Sequence, residues 1–376
     1  MATILFYVPF YRRARDVESL IIRFRDDGHR VLIVNQRPGS EFNDFLSSKK
    51  IECYEYATRE KAPALVSFIK HLYWIARFCY RQNPDIVFSH LDSTNFVAAI
   101  AQYFVSAKIY LCRHHIDEAQ LYGFNKSWTY KLTNLLARRI IVVSNRALRY
   151  MIDVEGVLSS KLIHINLAYD FSLYKLPETT VASSIRHAHS AEVLLITVCR
   201  LTQYKRPDLC VKIAGRLRDE GIHVTFLILG SGPMEEELTS LIKEHGLEQN
   251  VKLMGHLANP LDYISAADIL VHPSVLESSC VVLKEAGLVR KPVIACSGVG
   301  DVDEYIEDGV HGMLLPPEAF EHAAVKAIQF LIANRADAVG MGEKLRTSVL
   351  SNFEITNVIN RYSGILGEAR RSHSKV

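Results

Sequence analysis

Short apolar runs alternate with segments of helical spacing along the whole chain, and this alternation limits the possible fold more than any other feature. Strands that alternate with helices form parallel sheets joined by right-handed crossovers. The polar stretch from Lys175 to Ser190 separates two such series. The sequence therefore predicts an α/β protein with two Rossmann-like domains, whose ligands bind beyond the carboxyl ends of the strands, in the cleft between the domains. The predicted strands are Thr3–Val8, Arg30–Asn35, Ile86–His90, Lys108–Cys112, Ile140–Ser144, Leu162–Asn166, Val193–Cys199, Val224–Gly230, Val251–Met254, Ile269–His272, Pro292–Cys296 and Gly312–Leu315.

The composition is typical of a soluble globular protein. Of 376 residues, 49% are hydrophobic and 23% are charged. No apolar segment reaches the length of a membrane span, and Met1–Tyr7 enters a strand without a basic leader or a cleavage site, which favours the cytoplasm. The seven cysteines are scattered without a Cys-x-x-Cys pair, and we interpret them as reduced core thiols. Residues 1–176 carry a net charge of +8 and residues 177–376 a net charge of −5, so the first half could contact an anionic membrane or a phosphate-bearing acceptor.

Two glutamates lie on either side of a predicted helix start. The apolar run Ala267–Pro273 predicts a buried strand, a turn rich in Ser and Glu follows, and helical spacing then begins. We predict that this helix begins near Ser278 or Ser279, where its free N–H groups and positive dipole end suit a phosphate. Glu285 would lie roughly 9–10 Å from that end, about the span from a diphosphate to the ribose of the same nucleotide. Glu277 immediately precedes the predicted helix start.

Two cations follow the predicted strand that ends at Cys199. Arg200 and Lys205 share one loop at the carboxyl end of that strand. A leaving nucleoside diphosphate requires fixed positive charge, because negative charge builds up on it as a glycosidic bond breaks. The loop is therefore a candidate diphosphate site.

A glycine pair follows the next predicted strand. Gly230 and Gly232 resemble the start of a dinucleotide fingerprint, but Glu235 stands where a small residue should allow close helix packing. This departure argues against a dehydrogenase. A tight turn between a strand and a helix is the simplest interpretation.

These segments together resemble the retaining glycosyltransferases of family 4, which use nucleotide sugars. Glu277 and Glu285 match the E-x7-E signature, and Arg200-Leu201 with Lys205 resembles the G-R-L…K-G segment. Further matches are the Gly-x-Gly-Pro turn at Gly230, the V-x-F-x-G segment at Val251 and the G-G-x-x-E-x-I-x-x-G-x-x-G segment from Gly298. Cys199 and Arg206 replace two of the glycines usual in the family.

The resemblance implies the GT-B fold. On that pattern residues 1–174 form an N-terminal acceptor domain, 175–190 a linker and 191–354 a nucleotide-sugar donor domain. Residues 355–376 form a C-terminal helix, about Ile355–Ala369, that returns to the N-terminal domain, followed by a basic tail.

The resemblance also implies roles for single residues. Arg200, Lys205 and the helix start would hold the diphosphate, Glu285 the ribose, and Glu277 a hydroxyl on the sugar side. The predicted catalytic residues are His114, Glu277, Arg200 and Lys205. The predicted donor-binding residues are Arg200, Lys205, Gly232, His256, Leu257, Glu277, Ser278, Ser279, Cys280 and Glu285.

The first domain matches the family less closely. Family members carry a histidine near the donor sugar, and either His114 or His115 fits, with His114 favoured by its Arg-His context. The family's N-terminal Gly-Gly loop is replaced by Phe10–Arg15, and the usual Asn-Gly before the linker has become Leu167-Ala168.

No metal ion or other cofactor is expected. Asp301-Val302-Asp303 has the form of a metal-binding D-x-D motif, but it lies inside the glycine-containing family segment. We interpret it as a loop and a helix start. The cations and the helix terminus then stabilise the diphosphate without a divalent ion.

The expected activity is sugar transfer, with retention of configuration, from a nucleotide sugar to a glycan or a lipid-linked acceptor, in cell-surface polysaccharide or glycoconjugate synthesis. No carboxylate is placed as an obvious nucleophile, which favours front-face attack. Two alternatives stay open: a sugar-nucleotide 2-epimerase of similar architecture, and an inactive nucleotide-sugar-binding partner subunit. No nucleic-acid partner is expected.

Two segments interleave aromatic and basic residues, a composition found in helices that lie at a lipid surface. The first, Phe68–Phe78, precedes a strand start, and we interpret it as a core helix. The second, Lys126–Leu132, is the candidate contact with the inner face of a membrane.

Overall fold

The computed structural model describes residues 1–56, 63–114, 127–189 and 192–373, with side chains as far as residue 367. The chain divides into two compact units. Unit 1 comprises Met1–Phe171 and Phe353–Val376, and unit 2 comprises Ser172–Asn352.

The described part of unit 1 contains a seven-stranded parallel sheet of order β3-β2-β1-β4-β5-β6-β7. Its strands are β1 Thr3–Val8, β2 Arg30–Asn35, β3 Glu52–Glu55, β4 Ile86–His90, β5 Lys108–Arg113, β6 Ile140–Val142 and β7 Leu162–His164. Its helices are α1 Arg15–Asp26, α2 Glu41–Ser48, α3 Ala64–Gln82, α4 Asp92–Ala101, α5 Ser127–Leu136 and α6 Asn145–Asp153.

Alternate side chains of these strands bury two separate apolar clusters, one on each face of the sheet. Ile4 and Phe6 of β1 join the cluster that includes α1, whereas Leu5 and Tyr7 join the cluster that includes α3 and α4. Because both faces are covered, the strands appear in the sequence as continuous apolar runs.

The last helix of the chain belongs to unit 1. The ring of Tyr362, a residue of this helix, packs edge-on against Phe24 of α1 and Phe88 of β4. The N–H of Ile355 donates to the carbonyl oxygen of Tyr169 at 2.8 Å. This helix, α15, spans Ile355–His373 and is slightly longer than predicted.

Unit 2 repeats the architecture with a six-stranded parallel sheet of order β10-β9-β8-β11-β12-β13 in its described residues. Its strands are β8 Val193–Val198, β9 Val224–Leu229, β10 Val251–Gly255, β11 Ile269–His272, β12 Val293–Cys296 and β13 Met313–Leu315. Its helices are α7 Thr179–His189, α8 Pro207–Asp219, α9 Glu235–Glu244, α10 Pro260–Ala266, α11 Val281–Leu288, α12 Val302–Tyr305, α13 Phe320–Ala333 and α14 Arg335–Phe353.

Much of the stretch predicted as a linker is helical. Helix α7 packs on α10, and Arg186 pairs with Asp268 at 2.9 Å. Residues 179–189 are therefore part of unit 2 and do not form an extended connection.

Cysteines and helix lengths also bear on the sequence predictions. All seven cysteines are unpaired and most are buried. Within the described residues, no helix is both long enough and apolar enough to cross a membrane.

Candidate active site

Three side chains of unit 2 meet at the carboxyl edge of its sheet. One carboxylate oxygen of Glu277, Oε1, accepts from Nζ of Lys205 and lies 2.7 Å from Nε2 of His272. His272 is the last residue of β11, and Lys205 ends the single 3-10 turn Gln203–Lys205 that follows β8. The two loops are tied together, since the N–H of Val275 donates to the carbonyl oxygen of Tyr204 at 2.9 Å.

The three groups of this cluster hold one another in their charged forms. Burial raises the pKa of Glu277, but His272 and Lys205 outweigh it and lower the pKa to about 2. Burial lowers the pKa of His272, but Cys280 and Glu277 outweigh it and raise the pKa to about 9. Burial likewise opposes the charge on Lys205, and Glu277 raises its pKa. At neutral pH the cluster therefore holds two cations around one carboxylate.

Arg200 lies two residues beyond β8, and its side chain is exposed. The backbone around it is fixed, because the N–H of Leu201 donates to the carbonyl oxygen of Ser231 at 3.1 Å. The carbonyl oxygen of Leu201 in turn accepts from the N–H of Met234 at 3.2 Å. A rigid loop thus presents a solvent-accessible cation on the same strand-end loop as Lys205.

Close backbone contacts require glycine at the two positions after β9. A side chain on Gly230, whose φ is +134°, would overlap the carbonyl oxygen of Cys199. A side chain on Gly232 would overlap the backbone of Leu201. The glycines therefore allow the β9 turn to pack against the loop that carries Arg200. This explains Gly232 without any ligand, and its predicted donor contact stays a prediction.

Arg206 occupies a position that explains the usual glycine of the family. Its backbone has φ 52° and ψ 47°, in the left-handed region. Glycine adopts this conformation without the strain that a side chain adds. Here the guanidinium of Arg206 donates from Nη1 to the carbonyl oxygen of Pro317 at 2.7 Å.

The helix after Glu277 begins later than predicted. Helix α11 starts at Val281 with Cys280 as its N-cap residue, so the predicted start near Ser278 or Ser279 is wrong by two or three residues. Asp301 contacts the residues just before α11, since its Oδ1 accepts from the N–H of Cys280 at 3.0 Å and its Oδ2 accepts from Oγ of Ser279 at 2.6 Å. These bonds hold the preceding residues in a loop.

A buried ion pair supports this loop. Nζ of Lys284 lies 2.7 Å from Oδ2 of Asp301, and both side chains are almost completely buried. The same ammonium donates to Oγ of Ser279 at 2.9 Å and to the carbonyl oxygen of Cys280 at 3.2 Å. Asp301 is thus engaged by a lysine and a helix N-terminus.

Asp303 is also engaged, since its Oδ2 accepts from the N–H of Gly298 at 2.7 Å. The D-x-D segment therefore forms a loop and the start of α12, as predicted. Gly300, at φ +62°, packs its α-carbon against Glu277, where an added side chain would come within 2.9 Å of that residue's Cβ.

Glu285 is the fifth residue of α11 and is buried. Because the helix starts at Val281, Glu285 lies about 6 Å along the axis from the helix start, less than the predicted 9–10 Å. Ser278 is also buried, whereas His256 is exposed and Leu257 partly exposed just beyond β10.

One group of side chains has the donor set of a metal site. The ligand atoms of His272, Glu277 and Cys280 all lie within 4.8 Å of one another. Nitrogen, oxygen and sulfur ligands of this kind suit zinc. The Glu277 oxygen already accepts from Lys205, so a cation there would have to displace a lysine ammonium.

The predicted catalytic histidine of unit 1, His114, is buried beside a second histidine. Nε2 of His114 is 2.8 Å from Nδ1 of His90, and its Nδ1 is 4.0 Å from a carboxylate oxygen of Asp16. Burial lowers the pKa of His114 to about 4, although Asp92 opposes the shift. The ring is therefore neutral at pH 7. The alternative, His115, lies outside the described residues.

Two histidines of these sites, His90 and His272, were not singled out from the sequence. Each is the last residue of a buried parallel strand, β4 and β11 respectively. A polar residue at the carboxyl end of an otherwise apolar run is the signal that would have identified both.

Two family profiles match the chain. The one described as Glycosyltransferase Family 4 covers residues 14–172, and the one described as Glycosyl transferases group 1 covers residues 183–348. This chain belongs to glycosyltransferase family 4. The resemblance predicted from the sequence is thereby confirmed.

Two curated relatives of this glycosyltransferase add detail. Over 254 residues the chain is 23% identical to the poly(ribitol-phosphate) alpha-N-acetylglucosaminyltransferase of Staphylococcus aureus, which covers 66% of this chain and 48% of the relative. Over 312 residues it is 24% identical to the GPI3 subunit of the phosphatidylinositol N-acetylglucosaminyltransferase of Saccharomyces cerevisiae, which covers 79% of this chain and 64% of the relative. The chain thus spans about half of the first relative and just under two thirds of the second.

Among solved structures, HepE of Anabaena in complex with UDP-glucose is similar over 98% of this chain and 100% of its own. The TM-score is 0.84 and the sequence identity 20%. The predicted α/β fold of GT-B type, with two Rossmann-like domains, is thereby confirmed.

Proposed function

We propose that this family 4 glycosyltransferase transfers a sugar from a nucleotide sugar with retention of configuration and without a metal ion. The cluster of Lys205, Glu277 and His272, together with Arg200 on the same loop as Lys205, is the observation that carries the proposal. It places fixed positive charge at the carboxyl edge of a parallel sheet, where ligands of such sheets bind. HepE of Anabaena has been solved with UDP and with UDP-glucose, which supports a uridine nucleotide as the first donor to test.

The charge distribution suits departure of a diphosphate. As the glycosidic bond breaks, negative charge grows on the leaving phosphate, and Lys205 and Arg200 stabilise it more strongly in the transition state than in the ground state. Glu277 fixes the direction of the lysine ammonium. In this mechanism Glu285 binds the ribose, and the backbone of Ser278 and Ser279 lies against the phosphates.

The engagement of Glu277 favours front-face attack. Its Oε1 already accepts from Lys205 and contacts His272, which makes the carboxylate a poor nucleophile. The acceptor hydroxyl enters on the side from which the diphosphate leaves, and the departing phosphate takes its proton. The new bond then has the configuration of the old one.

The neutral ring of His114 contributes a hydrogen bond rather than a charge. A neutral imidazole donates from one nitrogen and accepts at the other, which suits a sugar hydroxyl. Protonation of His114 would place a buried cation beside the neutral ring of His90, and burial disfavours it.

The acceptor is a glycan or a lipid-linked molecule at the cytoplasmic face of a membrane. The names of the two curated relatives specify poly(ribitol phosphate) and phosphatidylinositol, a phosphate polymer and a phospholipid. Residues 1–176 have a net charge of +8, which complements the negative charge of a phosphate-bearing acceptor. Cell-surface polysaccharide or glycoconjugate synthesis is the setting that this chemistry serves.

Thermal-shift screening against UDP-, GDP- and ADP-sugars, followed by NMR analysis of the product's anomeric configuration, tests the proposal. A stabilising donor and a retained anomer are expected. Inversion would overturn the mechanism. Interconversion of the free nucleotide sugar without an acceptor would favour a 2-epimerase, and binding without transfer or slow donor hydrolysis would favour an inactive partner subunit.

A further inference from the structure

Helix α3 exposes a continuous apolar stripe. Leu65, Ile69 and Tyr73, four residues apart, are 70%, 55% and 64% exposed. At about 100° per residue, these three positions fall within an arc of roughly 80°. The interpretation of this segment as a core helix holds for Phe78, which is buried, but fails for Ile69 and Tyr73. The helix therefore has two apolar sides, one toward the sheet and one toward solvent.

Helix α5 exposes a second stripe on the same layer of unit 1. Trp128 is 61% exposed and Leu135 is 72% exposed. Helix α4 lies between α3 and α5, because the ring of Phe96 contacts Phe68 at 5.2 Å on one side and Trp128 at 5.9 Å on the other. The two stripes thus flank one helix and form a single apolar face, defined by Leu65, Ile69, Tyr73, Trp128 and Leu135 and called the α3/α5 face below.

The charges on the two helices that carry the α3/α5 face are of one sign. The exposed cations on the two helices are Lys70, Arg77, Arg81 and Lys131. Neither Ala64–Gln82 nor Ser127–Leu136 contains an aspartate or a glutamate. On α3 the cations follow the apolar arc on one side, at about 120–160° where Leu65 is set at zero. Aromatic and aliphatic side chains bordered by cations are the composition of helices that lie in the headgroup region of an anionic membrane.

We propose that unit 1 docks on an anionic membrane through the α3/α5 face. Leu65, Ile69 and Leu135 enter the boundary between headgroups and acyl chains, Tyr73 and Trp128 lie at the headgroup level, and the cations contact lipid phosphates. A second protein would need acidic groups to match the cations over the same area. The membrane supplies that charge over any extended face, and it is the occupant to which the proposal commits.

A cavity between the same helices gives docking a purpose. It has a volume of about 560 Å³ and is lined by side chains of α3, α4 and α5 together with residues that directly follow β2 and β3. Its polar lining includes Gln36, Arg37, Asp92 and Tyr130, and the hydroxyl of Tyr130 donates to Asp92 at 2.9 Å. His71 contributes a neutral ring, because burial lowers its pKa to about 4. A cavity of this size and polarity accommodates the polar head of a membrane-borne acceptor, and this step rests on the proposed function.

Vesicle flotation of the full chain tests the docking. Wild type should associate with phosphatidylcholine vesicles that contain phosphatidylglycerol, more weakly without that lipid and more weakly at high salt. Ile69→Ser/Tyr73→Ser should lose most of the association. Lys70→Gln/Arg77→Gln should lose about fivefold for each cation removed. The matched control is Val154→Ser/Leu158→Ser, which removes two exposed apolar residues of unit 1 outside these helices and should bind like wild type.

Tryptophan fluorescence provides a second, local measurement. The chain has two tryptophans, and only Trp128 belongs to the α3/α5 face. In a Trp74→Phe background, the emission of Trp128 should shift to shorter wavelength on vesicle binding and be quenched by brominated lipids. Emission that stays unchanged while the protein floats with vesicles would mean that a different surface docks.

Three results would overturn the proposal: no association with anionic vesicles at low salt, equal losses in the face and control variants, or unchanged Trp128 emission in the bound protein. If instead wild type sediments as a dimer and the face variants as monomers, the occupant is a second copy of the chain. UDP binding should be unchanged in every variant. Failure of wild type to bind any nucleotide sugar would count against the proposed function and leave the vesicle results to decide the docking.

Discussion

The two sheets place a histidine at the same position, but the ring is neutral in unit 1 and positively charged in unit 2. His90 ends β4 beside β1 in unit 1, and His272 ends β11 beside β8 in unit 2, so each is the last residue of a central strand of its sheet. Both rings are buried. Burial and the neighbouring His114 hold the pKa of His90 well below its usual range, whereas the pKa of His272 is raised to about 9.

The neighbours account for the difference. His90 contacts a second histidine, His114, and both are neutral at pH 7. His272 contacts a carboxylate, Glu277, that also holds Lys205. The same backbone position therefore forms part of a neutral hydrogen-bonding pair in unit 1 and of a charged cluster in unit 2. The charged one is suited to a diphosphate and the neutral one to uncharged hydroxyl groups.

The largest change in the rate of sugar transfer should come from removing Lys205. This lysine contacts the carboxylate cluster of unit 2 and has no counterpart in the histidine pair of unit 1. Lys205→Ala should lower the rate of sugar transfer about 10³-fold, because it removes a contact that strengthens as the diphosphate departs. Arg200→Ala should act in the same direction. The control is Lys212→Ala, which breaks an exposed pair with Asp208 and should leave the rate unchanged. Steady-state kinetics on folded variants measure these changes in rate. Near-normal turnover in both Lys205→Ala and Arg200→Ala would remove the basis for this donor site.

The contrast also predicts opposite pH windows for stability. The unfolded chain protonates His114 below about pH 6.5, while the folded pKa of about 4 keeps it neutral, so its contribution turns unfavourable as pH falls from 6.5 to 4. His272 has a raised folded pKa, so its stabilising contribution is complete below about pH 6.5 and is lost as pH rises through about 9. Each window corresponds to about 3 kcal/mol of unfolding free energy.

Urea unfolding of His114→Gln and His272→Gln between acid and alkaline pH checks these windows. His114→Gln should be less sensitive than wild type to acid, and His272→Gln less sensitive to alkali. Among the described residues, His90, Asp16 and Asp92 face His114, whereas Glu277 and Cys280 face His272. Identical pH profiles for both variants and wild type would show that the two histidines do not differ in charge.

A smaller effect is expected at the ribose end of the proposed donor site. Glu285→Gln should weaken UDP binding about tenfold, because an amide oxygen accepts from ribose hydroxyls less strongly than a carboxylate does. Glu244→Gln, at the exposed end of α9, is the matched control. Calorimetric titration measures both. Equal affinity for UDP in Glu285→Gln and wild type would assign the ribose to another group.

The smallest effect is expected from chelation. EDTA should leave transfer almost unchanged, because Lys205 and Arg200 supply the positive charge for the diphosphate. Asp301 and Asp303 are engaged by Lys284 and by the N–H of Gly298. Loss of activity in EDTA, restored by manganese, would return the D-x-D segment to a metal-binding role.

Much of the fold could be predicted because buried parallel strands are continuous apolar runs. Four strands, β1, β2, β4 and β11, have the predicted bounds. Strand β3 was missed because it lies at the sheet edge, where Glu52 and Glu55 face solvent and interrupt the apolar pattern.

The site was less predictable where contacts join distant parts of the chain. Arg200, Lys205 and Glu277 could be singled out because their signals are local. The pair of Lys284 and Asp301 joins α11 to a loop 17 residues later. No local pattern reveals that the carboxylate of Asp301 accepts from the N–H of Cys280, the residue just before the first residue of α11.

The most direct test of the account is calorimetric titration of wild type and Lys205→Ala with UDP and with uridine. If the cluster of Lys205, Glu277 and His272 recognises a diphosphate, wild type binds UDP far more tightly than uridine, and Lys205→Ala loses most of that difference while its affinity for uridine is unchanged. If Lys205→Ala keeps the full preference for UDP over uridine, the charged cluster of unit 2 does not bind the diphosphate and the central claim is contradicted.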